Sequence, residues 1–138
     1  MNCILFPTDL VSEESAALGH AISLSNRLNA HLKLLHVMAG NHPPPPEKRS
    51  WLDAQDIDRL QRLIPGNAEL LNAPECRIEY GAIVQEVILR TAAEMAADLI
   101  VLSVRPEEPW ATRLPDKAQS IVAGSHCPVI TVREKRIA

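Results

Sequence analysis

Side chains able to do chemistry are few and scattered in this chain. Five histidines, His20, His31, His36, His42 and His126, include no pair four residues apart on one helix face and no Cys/His spacing suited to a metal ion. His36 falls in an apolar run, where a hydrogen-bonded core histidine is the ordinary role. Cys3, Cys76 and Cys127 stand singly, without a CxxC pair, and an odd set of isolated thiols points to buried cysteines in a reducing compartment. Cys127 follows the end of an expected helix, where the dipole disfavours a thiolate. Ser103 ends an apolar strand, yet no G-x-S-x-G elbow surrounds it and no base adjoins it, so it reads as a loop serine. Asp9 is a loop carboxylate placed to cap a helix or to tie Thr8 and Ser12 together locally. No reaction class emerges, and the expectation is a non-enzymatic protein without metal or cofactor.

Bulk properties narrow the class further. A chain of 138 residues suits one domain, 1–138, and buries about two thirds of the surface it exposes unfolded. Only four residues are aromatic, so the core must be aliphatic. A net charge of −3 with 22% charged residues excludes an acidic disordered chain and gives no support to nucleic-acid binding. No apolar run approaches the roughly 18 residues that cross a bilayer. The N-terminal apolar stretch is too short for a signal peptide and lacks a basic flank. The expectation is a cytoplasmic protein with no membrane contact.

The elements that must position these residues follow from periodicity. Asn2 to Pro7 is a short buried strand. Ser12 is a plausible N-cap, Glu13 and Glu14 suit a first helical turn, and Ala17, Leu18, Ala21, Ile22, Leu24 and Leu28 mark an amphipathic helix. His31 to Val37 is a second strand, so the opening is β-α-β with parallel strands. Gly40 to Glu47, with Pro43, Pro44, Pro45 and Pro46, predicts a stiff non-helical connection. Leu52 to Ile64 resumes helical spacing until Pro65-Gly66, and a short helical piece is expected near Ala68 to Asn72. Cys76 to Tyr80 alternates as a half-exposed edge strand that Gly81 ends. Ile83, Val84, Val87, Ile88, Thr91, Ala92 and Met95 stripe the next helix, and Leu99 to Leu102 is a strand buried on both faces. After a polar stretch from Ser103 to Arg113, a last helix carries Leu114, Ala118, Ile121 and Val122 and stops at Gly124. Cys127 to Val132 is the fifth strand. This order predicts an α/β fold, a doubly wound five-stranded parallel sheet with helices on both faces.

Several of these segments resemble the universal stress protein family. They are the opening Cys3-Ile4-Leu5-Phe6-Pro7-Thr8-Asp9, then Leu34-Leu35-His36-Val37, Gly81, Ala97-Asp98-Leu99-Ile100-Val101 and the closing Cys127-Pro128-Val129-Ile130-Thr131-Val132. The resemblance spans nearly the whole chain. It implies strand order 3-2-1-4-5, a homodimer, and a nucleotide site where strands 1 and 4 diverge. Thr8, Asp9 and Val37 match the family's positions for such a site. An independent rule places ligands at the same point, beyond the C-terminal strand ends at the switch point of an open sheet.

ATP-binding members of the family resemble one another in a loop of pattern G-x2-G-x9-G-[ST] after strand 4, whose glycines let backbone N–H groups approach phosphates. Here those positions fall on Ser103, Pro106, Asp116 and Lys117. No glycine is left, Lys117 replaces the hydroxyl residue, and Pro106 has no N–H to give. A carboxylate at Asp116 would repel a phosphate about 5 Å away by roughly 3 kcal/mol at an effective dielectric near 20. That is about a hundredfold in affinity per charge. Lys117, Arg105 and Arg113 are matched by Glu107, Glu108 and Asp116. The expectation is a nucleotide-independent, dimeric stress-response or regulatory protein acting through protein contacts. A variant ATP- or AMP-binding member and a small hydrolase or thiol enzyme are the alternatives. Trp110 reads as a cover for the sheet end, or as a plug or partner anchor in the crevice. Val129, Ile130, Thr131 and Val132 form an edge strand with no charge before Arg133, so a second copy of the strand is expected to pair with it. The competing expectation is that the tail from Glu134 to Ala138 folds back over that edge.

Overall fold

Blocks of apolar and polar residues along the chain fold as strands and helices in strict alternation. In the computed structural model, which describes residues 2–10, 15–105 and 114–134, these are β1 (Cys3–Thr8), α1 (Ser15–Arg27), β2 (His31–Ala39), α2 (Pro46–Leu63), β3 (Glu75–Gly81), α3 (Val84–Glu94), β4 (Leu99–Val104), α4 (Asp116–Gly124) and β5 (Val129–Arg133). The strands form one parallel sheet of order β3-β2-β1-β4-β5, as expected. Among the described residues no helix is long and apolar enough to cross a membrane.

The central strands are apolar throughout because helices cover both of their faces. All six residues of β1 are buried, as are Leu99 to Leu102 of β4. Alternation across the pleat divides the core in two. Leu5, Leu35, Ile100 and Leu102 pack with Ile88 and Ala92 of α3 and Ala118 and Ile121 of α4. Ile4, Phe6, Leu32, Leu34 and Val101 pack with Ala17, Leu18 and Ala21 of α1 and Leu60 of α2. Each such large side chain stabilises the fold by about 1.5–3 kcal/mol.

One feature of the pairing shapes the site. β1 stays in register with β2 along its whole length, from Cys3↔His31 to Thr8↔His36. It pairs with β4 only at Ile4↔Leu99 and Leu5↔Ile100. Beyond those residues the two strands part, and the sheet opens at its switch point. At the other end Asp98 holds them together: its carboxylate accepts the N–H groups of Asn2 (2.7 Å) and Cys3 (3.0 Å), and its own N–H donates to the Cys3 carbonyl (2.9 Å). Those two backbone bonds keep its carboxyl below the usual carboxylate range.

The structure corrects several expectations. Pro46 is not part of a non-helical connection but the first residue of α2, which starts well before Leu52. Proline is suited to that position because the N–H it lacks would have no acceptor within the helix. The short helix expected near Ala68 to Asn72 does not form. Asn26 of α1 binds this segment instead, donating to the Glu69 carbonyl (2.6 Å) and accepting from the Leu71 N–H (3.0 Å). Ile83 is the exposed N-cap of α3 rather than part of its buried stripe, and Val122 faces outward on α4. Cys127 precedes β5 and is half-buried, as is Cys76 in β3; only Cys3 is fully buried. Burial is the main cause that raises the Cys3 and Cys76 thiols. The capping role expected of Ser12, Glu13 and Glu14 lies outside the described residues.

Gly81 ends β3, as the sequence suggested, for a packing reason: a Cβ there would come within 2.3 Å of Val87 Cγ2. Gly124 likewise lies against Leu89, with 2.7 Å left for a Cβ. On the outer edge, α2 braces β3 through Arg49, whose guanidinium lies 4.7 Å from the Tyr80 ring centre, and through Asp53, which accepts the Tyr80 hydroxyl. Burial, then the Asp53 bond, push that phenol up to about 12.

Candidate functional site

The parting of β1 and β4 leaves a cleft of about 250 Å³ beyond the C-terminal strand ends. Each wall follows from the strand pattern. β1 ends in Pro7, Thr8 and then Asp9; β2 contributes Leu35 and Val37; β4 contributes Leu102, Ser103 and Val104, followed by Arg105. The helices close the sides with Val84 and Ile88 of α3 and Lys117, Ala118 and Ile121 of α4, with Pro115 just ahead of α4. The floor is therefore aliphatic and the rim polar, the usual composition of a small-molecule site.

Five of the residues singled out from the sequence, Thr8, Asp9, Val37, Ser103 and Lys117, line this one cleft. They come from β1, β2, β4 and α4, and only the topology unites them. Asp116 is exposed at the first position of α4, between Pro115 and Lys117, which both line the cleft. Pro106, Glu107, Glu108, Trp110 and Arg113 lie outside the described residues, and so do the plug and anchor roles considered for Trp110.

Local geometry at the rim is constrained. His36 Nδ1 lies 3.0 Å from the Thr8 carbonyl, the hydrogen-bonded core role expected of it. Leu10 adopts φ 64 and its N–H donates to Thr8 Oγ1 (3.2 Å). A left-handed leucine costs roughly 1–2 kcal/mol, so the turn after β1 is strained where it borders the cleft. On the opposite rim Arg105 is half-buried, and its Nε has no hydrogen-bond partner among the described residues. An orphaned buried donor costs about 1–3 kcal/mol. Neither Arg105 nor Lys117 belongs to an ion pair among the described residues.

Sequence reasoning missed Glu134. This residue directly follows β5 and is only 5% exposed. Its carboxylate accepts the Ala17 N–H (2.8 Å), the Ala16 N–H (3.3 Å) and the Ser103 hydroxyl (3.3 Å). Its N–H donates to the Val104 carbonyl (2.9 Å), extending the ladder beyond β5. It thus brings a negative charge to the α1 N-terminus and holds Ser103 at the cleft. Ser103 thus has a carboxylate, and not a histidine, as its side-chain partner. Among the described residues no group of three or more His, Cys, Asp or Glu could hold a metal ion.

The outer edge of β5 is the second feature of interest. Its backbone pairs with β4 on one side, from Ile100↔Val129 to Val104↔Arg133, and it is the last strand of the sheet. Ile130 is 38% exposed, Thr131 is exposed, and Val129 and Val132 are half-buried.

An open parallel sheet with its cleft at the point where two adjacent strands part defines a ligand-site α/β architecture of the doubly wound class. The chain belongs to the universal stress protein family, whose model matches residues 1–133. It is similar in fold to the universal stress protein UspA from Lactobacillus plantarum, at 24% identity and a TM-score of 0.66, over 96% of this chain and 97% of that one. It is also similar to the hypothetical protein MJ0577, at 21% identity and a TM-score of 0.74, over 99% and 98% of the two chains. A universal stress protein in complex with cAMP is 16% identical with a TM-score of 0.59, over 97% and 98%. Comparison with curated proteins returned no match.

Proposed function

We propose that this chain is a nucleotide-independent universal stress protein, a cytoplasmic homodimer that acts through protein contacts rather than catalysis. The observation that carries the reading is the set Ser103, Pro106, Asp116 and Lys117 at the family's phosphate-loop positions. None is a glycine, so backbone N–H groups lose the close approach to phosphate that the loop otherwise allows. Ser103 is further committed to Glu134. The uncharged, half-exposed edge of β5 supports dimerisation, because an unpaired edge of this kind invites a second strand. A two-fold axis would pair the edges antiparallel.

One observation favours a nucleotide-binding alternative: Thr8, Asp9 and Val37 line a single cleft, and a relative was solved with cAMP. Equilibrium dialysis with ATP, AMP and cAMP, Mg²⁺ present, separates the readings. The expected result is no retention at low micromolar nucleotide; a dissociation constant in that range for any of the three overturns nucleotide independence. Sedimentation velocity tests the dimer, with Ile130→Lys and Thr131→Glu combined to block the edge. The wild type should sediment as a dimer and the variant as a monomer. A wild-type monomer at micromolar concentration, or a variant that stays dimeric, overturns the β5 interface.

A further inference from the structure

We infer that the switch-point cleft is a receptor for a small amphiphilic monoanion, a carboxylate carried on a short aliphatic body. The inference rests on the reading that nucleotides are not its ligands and adds what takes their place. Three observations support it.

The first is charge. The lining holds Arg105 and Lys117 against Asp9, two positive charges less one negative, a net +1. Neither cation is in an ion pair among the described residues, whereas Asp9 already has an interaction. A site of net +1 is matched by one negative charge and leaves most of a triphosphate's charge uncompensated. The orphaned Nε of Arg105 shows that this guanidinium has not been given a full set of acceptors.

The second is surface. The lining also includes Leu35, Val37, Val84, Ile88, Leu102 and Ile121, all aliphatic. At the rim Ser103 donates to Glu134 and keeps its lone pairs, and Thr8 Oγ1 accepts from Leu10 and keeps its proton to give. These walls offer the aliphatic body of a ligand apolar contact area.

The third is size. The cleft measures about 250 Å³. That volume lies below the roughly 300–1,000 Å³ typical of sites for drug-sized ligands. A carboxylate on a chain of about six carbons meets all three conditions, with its charge at Lys117 and Arg105 and its chain on the floor.

Isothermal titration calorimetry with hexanoate tests the inference. A ligand this small should bind once per chain with a dissociation constant on the order of 0.1–1 mM. Hexylamine, with the same chain and the opposite charge, should give no saturable heat. Lys117→Gln, at an exposed position that leaves the core untouched, should weaken hexanoate about fivefold. Val37→Phe, which fills the floor, should abolish binding, and circular dichroism confirms that both variants fold. Failure of hexanoate to saturate by about 10 mM, equal binding of hexylamine, or unchanged affinity in Lys117→Gln overturns the inference. ATP titrated in parallel keeps the two claims apart. Micromolar ATP binding overturns nucleotide independence, whereas failure of both ligands overturns the monoanion site alone.

Discussion

Glu134 offers the sharpest test of how this fold is held together. Replacing it with alanine removes the carboxylate that bridges the first turn of α1, Ser103 of β4 and the end of β5. The bond to the Ala17 N–H at 2.8 Å has the length of a strong charge-assisted bond and is worth about 1.5–3 kcal/mol. The two contacts at 3.3 Å are longer, and we assign them about 0.5 kcal/mol each. The charge at a helix N-terminus adds about 0.3–1 kcal/mol. Relief of the desolvation of a carboxylate that is 5% exposed offsets part of that sum. The expected loss for Glu134→Ala is about 2–4 kcal/mol, a fall in Tm of roughly 6–12 °C for a chain of this size. Glu134→Gln keeps the shape and one acceptor and should lose about half as much. Urea unfolding followed by circular dichroism measures both, and a cycle with Ser103→Ala should show a coupling of about 0.5 kcal/mol. A loss for Glu134→Ala within about 0.5 kcal/mol would refute the bridging role.

Two further outcomes follow from single groups. Thr91 is fully buried and its hydroxyl has no partner among the described residues. Thr91→Val should therefore stabilise by about 1 kcal/mol, and a destabilised variant in urea unfolding would mean that the hydroxyl has a partner after all. Asp98 has a folded-state carboxyl held below its ordinary 3.8 by the Asn2 and Cys3 N–H bonds. Its contribution is full above the unfolded value and is lost as pH falls through the depressed folded one. Asp98→Asn should thus be less stable than wild type at neutral pH, with the gap narrowing below about pH 4. An unchanged gap at about pH 2 would show that the charge is irrelevant.

Much of the architecture was legible because it depends on local periodicity. Continuous apolar runs at Cys3 to Phe6 and Leu99 to Leu102 announce strands buried on both faces, and they occupy the centre of the sheet. The half-alternating Cys76 to Tyr80 announces an edge strand, and β3 is one. Where a local rule met tertiary contact it gave way. Asn26 of α1 drew Glu69 and Leu71 out of a helix by offering their backbone better partners. Pro46 starts α2 because a proline that breaks a helix interior is well placed at a helix start.

Residue types and spacing alone determined the α/β class, the parallel strands and the uncharged run Val129 to Val132, since each is a property of neighbours in the chain; the missing phosphate-loop glycines show only through the family resemblance. Tertiary structure decided which residues share a surface. It brought Thr8, Asp9, Val37, Ser103 and Lys117 to one cleft from four separate elements and the turn after β1. It also supplied the anion at the start of α1 from Glu134, 117 residues distant from Ala17. No local pattern marks such a residue: a carboxylate after an edge strand looks like any solvated acid until the sheet carries it to the helix.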